Sequence, residues 1–158
     1  MQPRFAFTTA VAVLTLAAAC GNTAQPAANT SPSPSVATTG TSIAVATNPV
    51  LGDILVDASG KTVYLFVADT GKTSTCYTTC AQVWPPVLTT GAPVAGTGAQ
   101  ASLLGTTTRT DGTIEVTYAG HPLYYFISDK KAGDTTGQGV NGFGGLWWVM
   151  SPAGAAIH

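Results

Sequence analysis

Slid over itself by 60 residues, the chain matches itself. Gly52 meets Gly112, Ile54 meets Ile114, Val56 meets Val116, Gly60 meets Gly120, Tyr64 meets Tyr124, Phe66 meets Phe126 and Asp69 meets Asp129, seven identities in eighteen positions. Val63 against Leu123 and Val67 against Ile127 are conservative pairs. A duplication of this kind constrains the fold more than any other feature. Two copies are too few to stack as a solenoid, so they must form a compact domain in which two similar halves share a core.

Each copy has the grammar of a β-hairpin. Asp53-Ile54-Leu55-Val56-Asp57 leads through Ala58-Ser59-Gly60 into Lys61-Thr62-Val63-Tyr64-Leu65-Phe66-Val67, two β-rich runs about a turn whose Gly can take positive φ. Thr113 to Tyr118 turns in the same way through Ala119-Gly120 into Pro122 to Ile127. Upstream of the pair, Ile43 to Ala46 and Gly105 to Thr110 read as further strands, the latter ending in an Asp111-Gly112 turn, and Trp147 to Met150 reads as the last strand. The expectation is an all-β domain over residues 42–158, made of two repeats at about 42–100 and 101–158, with seven or eight short strands. The only helix expected is a turn or two around Cys80 to Trp84.

The N-terminal part has a different character. One positive charge, Arg4, precedes an uncharged run from Phe5 to Ala19, 15 residues that are too few to span a membrane as a helix. This is the pattern of a signal peptide over residues 1–19. Ala17-Ala18-Ala19-Cys20 is similar to a bacterial lipobox, with Ala17 where that motif prefers Leu or Val, so Cys20 is the expected lipidation site. Cysteine parity supports this, since three Cys in an exported chain otherwise leave an unpaired thiol. Residues 20–41 are then a tether, rich in Ala, Thr, Ser and Pro and too poor in large apolar side chains to form a core.

Six Lys and Arg against seven Asp and Glu, with no basic cluster, exclude the electrostatic footprint of nucleic-acid binding. No nucleophile elbow, His-Glu-x-x-His, phosphate-binding glycine loop or cluster of carboxylates is present. The expected partners are therefore the membrane, through the lipid anchor, and an unknown extracytoplasmic ligand or protein.

Three motifs remain: Tyr-x-Phe-x-x-Asp, present as Tyr64/Phe66/Asp69 and Tyr124/Phe126/Asp129; the segment Cys76-Tyr-Thr-Thr-Cys80-Ala-Gln-Val-Trp84-Pro85-Pro86; and the run from Gly137 through Phe143 to Trp147-Trp148-Val149. Together they resemble the bacterial secreted-repeat lipoproteins over about Leu51 to Pro152. The resemblance implies an exported envelope lipoprotein with tandem repeats and brings no activity with it.

The residues themselves carry alternatives. Tyr and Phe two apart on a strand share a face, while the Asp falls beyond the strand end. It either ties down its own loop or meets the Tyr hydroxyl in a pocket within each half. Cys76 and Cys80 suit a disulfide in a tight loop, which would shape the Trp84-Pro85-Pro86 corner; the alternative is a copper or electron-transfer site using both thiolates with His121. No cofactor is otherwise expected. His121, whose counterpart is Lys61, reads as solvated, and the lone glutamate, Glu115, reads as exposed between Ile114 and Val116. The glycine-rich run from Gly133 to Gly145 reads as a flexible loop. The neighbouring pairs Tyr124-Tyr125 and Trp147-Trp148 require either outward-facing aromatics or a second core layer, leaving Trp84, Tyr125, Trp147 and Trp148 as candidate ligand-facing rings. The expected function is a lipid-anchored, non-enzymatic binding or scaffolding protein.

Overall fold

The computed structural model describes residues 40–158, so the signal peptide, Cys20 and the tether as far as residue 39 lie outside the described residues. In chain order the elements are β1 (Ser42–Asn48), β2 (Gly52–Asp57), β3 (Tyr64–Phe66), α1 (Thr79–Val83), β4 (Val94–Ala95), β5 (Leu104–Thr108), β6 (Ile114–Tyr118), β7 (His121–Pro122), β8 (Asn141–Gly142) and β9 (Gly145–Val149), with a single 3-10 turn at Ala101–Leu103. They form three small sheets ordered β2-β1-β4, β3-β9-β8 and β5-β6-β7. The domain is all-β and built from two repeats, with nine strands among the described residues where seven or eight were expected.

Turn chemistry sets the first hairpin of each repeat. Asn48 Oδ1 accepts the amides of Val50 and Leu51, bending the chain so that Ala44 pairs with Val56 and Ala46 with Ile54. In the second repeat Asp111 Oδ1 accepts the Thr113 amide, Gly112 takes φ 82°, and Thr106 pairs with Val116.

The halves meet at a local two-fold relation between the two motif tyrosines. Tyr64 N–H donates to Tyr124 C=O at 2.8 Å and Tyr124 N–H to Tyr64 C=O at 2.9 Å. Flanking this pair, β3 lies against β9, with Phe66 opposite Trp147. The counterpart of β9 in the other half is Trp84-Pro85-Pro86-Val87, where Val87 N–H donates to Leu123 C=O and Tyr125 N–H to Pro85 C=O. Two prolines without an N–H keep that segment from forming a full ladder.

The backbone pairing shifts the register between the repeats by one residue within the strand before each turn. Val63 N–H donates to Leu55 C=O, and Leu123 N–H donates to Val116 C=O. The offset between repeats is thus 60 residues after the turn and 61 before it, because Asp57-Ala58-Ser59-Gly60 is one residue longer than Tyr118-Ala119-Gly120. Ala119 and Gly120 both take positive φ (50° and 84°), which lets the shorter turn close directly as Tyr118 opposite His121. The identities Ile54/Ile114 and Val56/Val116 are therefore not structural equivalents. The counterpart of Ile54 is Glu115, and a one-residue slip reverses every face assignment. Accordingly Glu115 is fully buried and Ile114 exposed, the reverse of the sequence expectation.

Side chains pack in two layers. One contains Ile54, Tyr64, Phe66, Trp84, Tyr124 and Trp147; the other contains Leu55, Val63, Leu65, Val116, Leu123 and Met150. Each layer draws on both repeats. Because the strands between them are covered on both faces, successive residues are apolar, which explains the adjacent aromatic pairs: Trp147 enters the first layer while Trp148 packs on the second, and Tyr124 and Tyr125 divide the same way.

Candidate functional site

Across the local two-fold axis runs a stack of four aromatic rings, two from each half. Trp84 and Trp147 are parallel at a centroid distance of 4.0 Å, Phe66 covers the outer face of Trp147 at 4.0 Å, and Phe126 covers Trp84 at 4.2 Å. Tyr64 meets Trp84 edge-on at 5.3 Å and Tyr124 meets Trp147 at 5.1 Å. Offset and edge-to-face contacts of this kind add to the area each ring buries. Trp84 and Trp147 are 1% and 0% exposed, so neither faces a ligand; they are the centre of the core. Tyr125 and Trp148 are half-buried. Lys61 lies over the Tyr125 ring, whose hydroxyl donates to Asp57, and His158 meets the Trp148 ring edge-on.

The motif aspartates tie down their own loops, the first of the two alternatives; they also meet tyrosine hydroxyls, but those of the opposite half and in the core, not in a pocket within each half. Tyr64 OH donates to Asp129 Oδ2 at 2.6 Å, and Tyr124 OH donates to Asp69 Oδ2 at 2.7 Å. The tyrosine of each repeat is thus bound by the aspartate of the other. The remaining oxygen of each carboxylate ties its own loop: Asp69 Oδ1 accepts the Thr75 amide and hydroxyl, and Asp129 Oδ1 accepts those of Thr136. Burial, then the adjacent carboxylate, raises the Tyr64 phenol far above its ordinary range; burial and the carboxylates of Glu115 and Asp69 do the same for Tyr124. Both phenols act as hydrogen-bond donors to these carboxylates.

The two Tyr–Asp sites differ in their surroundings. At Tyr64 the third partner is the Gly137 amide, at 3.3 Å. At Tyr124 it is Ser74 Oγ at 2.6 Å, which donates to the phenol oxygen, whose own proton goes to Asp69, and accepts from Arg109 Nη1 at 2.7 Å. Arg109 Nη1 donates to Glu115 Oε2 at 2.9 Å and Nη2 to the Cys76 carbonyl at 2.7 Å, while the guanidinium lies over the Tyr77 ring. Burial opposes the charge on Arg109, but the hydrogen bond and charge of Glu115 hold its pKa above the ordinary value. Glu115 pays in the opposite direction: burial pushes its carboxyl up to about 7 in spite of Arg109, and its Oε1 is buried with no hydrogen-bond partner among the described residues. Sequence reasoning missed this pair. The signal that could have found it is the 61-residue offset, which places Glu115 at the core position of Ile54.

Cys76 and Cys80 form a disulfide with a Cα–Cα distance of 5.2 Å. It ties the loop before α1 to the second residue of that helix, and the Trp84 amide caps the helix on the Cys80 carbonyl, next to the Trp84 ring in the stack. The joined sulfurs offer no thiolate. His121 lies on β7 opposite Tyr118, and no group of three or more His, Cys, Asp or Glu side chains able to hold a metal occurs among the described residues. The copper alternative thus finds no support. In the second repeat the glycine-rich run takes the place of the Cys loop and is packed rather than free. A Cβ on Gly137 would lie 2.7 Å from the Trp84 ring, and β8 forms within the run.

On the surface, a depression of about 500 Å³ is lined by Thr41, Leu88, Thr89, Thr90, Thr113 and Ile114, hydroxyls and two exposed aliphatic side chains with no titratable group.

The family model described as a secreted repeat of unknown function matches residues 45–88 and 105–151, more than half of the chain, and the chain belongs to that family. Its two matched stretches coincide with the two halves related at Tyr64 and Tyr124. No curated protein and no solved structure matches it.

Proposed function

We propose that this exported protein is held at the outer face of a membrane by lipid on Cys20 and that its β domain is a non-enzymatic binding or scaffolding module. The observation that supports the second half is the fate of the chemically capable side chains. Both Tyr–Asp pairs and the Arg109–Glu115 pair close on one another inside the domain, and the two central tryptophans on each other. A domain that spends its polar groups on internal rigidity presents a fixed surface, which suits recognition better than turnover. Two or three acyl chains, at about 0.8 kcal/mol per buried methylene, suffice for the anchor.

Fractionation of cells expressing the wild type and Cys20→Ser tests the anchor. The wild type is expected in membranes and the variant in the soluble extracytoplasmic fraction; a variant that is cleaved at the same place and still sediments with membranes would refute it. Chemical cross-linking on intact cells tests the binding role, which fails if no adduct to another envelope component forms.

A further inference from the structure

The duplication exposes an asymmetry at the sheet edges. In the first repeat the outer edge of β1 is covered by β4 and the residues after it, running parallel to β1: Gly96 N–H donates to Ile43 C=O at 2.7 Å, and Val45 N–H to Thr97 C=O at 2.8 Å. The counterpart of β1 is β5, and at the 61-residue offset Ile43 corresponds to Leu104 and Val45 to Thr106. Nothing among the described residues covers the outer edge of β5. Arg109 N–H donates to Thr113 C=O and Ala119 N–H to Leu103 C=O, which fixes the alternation: Leu103, Gly105, Thr107 and Arg109 bond toward β6. The Leu104 carbonyl and the Thr106 amide, whose counterparts hold Gly96 and Thr97 just after β4, therefore point outward; the counterpart of Thr41, whose carbonyl accepts from the Val94 amide of β4, is Ser102 in the 3-10 turn.

Proteins ordinarily blunt such an edge with charge, proline or a bulge. Leu104-Gly105-Thr106-Thr107-Thr108 has none of these, pairs regularly with β6 over all five residues, and leaves Thr106 and Thr108 exposed.

We propose that the outer edge of β5 is a binding site for an extended, uncharged segment of small residues on another envelope protein, added parallel to β5 as β4 is added to β1. This rests on the binding role proposed above and names its surface. The occupied edge supplies the ligand chemistry. On β1, Gly96 must be glycine because its Cβ would lie 2.8 Å from Ala44 Cβ, and Gly98, at φ 78°, sits against Val45. On β5, Gly105 replaces Ala44 and Thr106 replaces Val45 at nearly the same shape. The ligand is therefore a Val-Ala-Gly-Thr-Gly type of strand: Gly105 removes the Ala44 contact, but the backbone carbonyl at 3.3 Å recurs as that of Leu104, and Leu103 stands in the place of Ser42. Main-chain bonds supply the affinity, and the shallow edge selects against bulky or charged side chains.

The probe is a capped peptide with the sequence of residues 93–99, Pro-Val-Ala-Gly-Thr-Gly-Ala, titrated into the full ¹⁵N-labelled chain. Saturable shifts are expected at the amides of Thr106 and Thr108, with protection of Thr106 from hydrogen exchange. Methylating the peptide nitrogen that corresponds to Gly96 removes the bond to the Leu104 carbonyl without altering the protein, and should weaken binding about tenfold, the scale of one hydrogen bond. Absence of shifts at Thr106 and Thr108 at millimolar peptide, equal binding of the methylated peptide, or shifts confined to Ile43 and Val45 through exchange with β4 would each overturn the proposal. Such a failure removes this edge alone; the anchor and the binding role stand or fall by the fractionation and cross-linking above.

Discussion

Asp129 accepts three hydrogen bonds, from Tyr64 OH, the Thr136 amide and the Thr136 hydroxyl, while almost wholly buried. Hydrogen bonds to a charged acceptor contribute about 1.5–3 kcal/mol each when one partner is removed. Tyr64→Phe should therefore cost about 2 kcal/mol, and Asp129→Ala more, because it also frees the loop. The double variant should cost clearly less than the sum, by a coupling energy of at least about 1 kcal/mol in urea denaturation; strict additivity would mean the bond contributes nothing. The motif was legible as a unit of sequence, yet its pairing was not, since the partners are 65 and 55 residues apart and belong to opposite halves. Glu115 carries a different prediction. Its carboxyl rises from 4.5 to about 7 in the folded state, so between these values the folded chain binds the extra proton and stability falls as pH rises. The contribution is full below about pH 4.5, is lost through pH 7 and amounts to at most about 3 kcal/mol. The lowered carboxyls of Asp57, Asp111 and Asp134 act below this window. Melting at pH 5 should thus exceed melting at pH 8 for the wild type, and Glu115→Gln should flatten the difference; a wild type more stable at pH 8 would contradict the assignment.

Among the elements, long β-rich runs were legible and short ones were not. β1, β2, β5, β6 and β9 follow from alternation and turn residues, whereas β4 and β8 are two residues each, Val94–Ala95 and Asn141–Gly142, and their formation depends on a neighbour already in place. The longer strand expected over Lys61 to Val67 shortens to Tyr64–Phe66, since Val63 N–H turns back to Leu55 C=O and only Tyr64 to Phe66 pair with β9, and of the run expected over Pro122 to Ile127 only Pro122 lies in a strand, β7. The disulfide was legible from parity and spacing, and its consequence is local. Closing a loop of five residues removes about 2 kcal/mol of unfolded-state entropy, so Cys76→Ala with Cys80→Ala should lower stability by about that much. Near-ultraviolet dichroism, which reports the Trp84 setting at the end of α1, should weaken in the same variant. An unchanged spectrum would show that Trp84 is placed by the stack alone. The two motif phenylalanines should also separate: Phe66 is buried under Trp147, so Phe66→Ala should cost about 3–5 kcal/mol, and half-exposed Phe126 less.

For the whole molecule the consequence of duplication is mutual dependence. A repeat cut free near residue 100 would lose the aspartate that binds its tyrosine, the tryptophan stacked on its own and the backbone partner of Tyr64 or Tyr124. What remains is about 58 residues with only part of each core layer, three of the ten buried residues of the first layer in the second repeat, in a size range where a domain is marginal even with its core complete. Residues 42–100 and 101–158 made separately should each lack dispersed amide spectra and near-ultraviolet dichroism. Mixed, they should assemble with one-to-one stoichiometry, since every contact across the local two-fold axis is available without a covalent link. The parallel Trp84–Trp147 pair, at 4.0 Å and 4° between planes, provides a specific readout. Two indoles so close couple excitonically, giving a paired dichroic band that neither half can produce, since each of the two residues lies in a different half. Trp147→Phe in the second half should preserve stacking and assembly but abolish the paired band. Folding of either half alone to a dispersed spectrum would show that the repeats are independent domains, and assembly without the band would place the tryptophans apart.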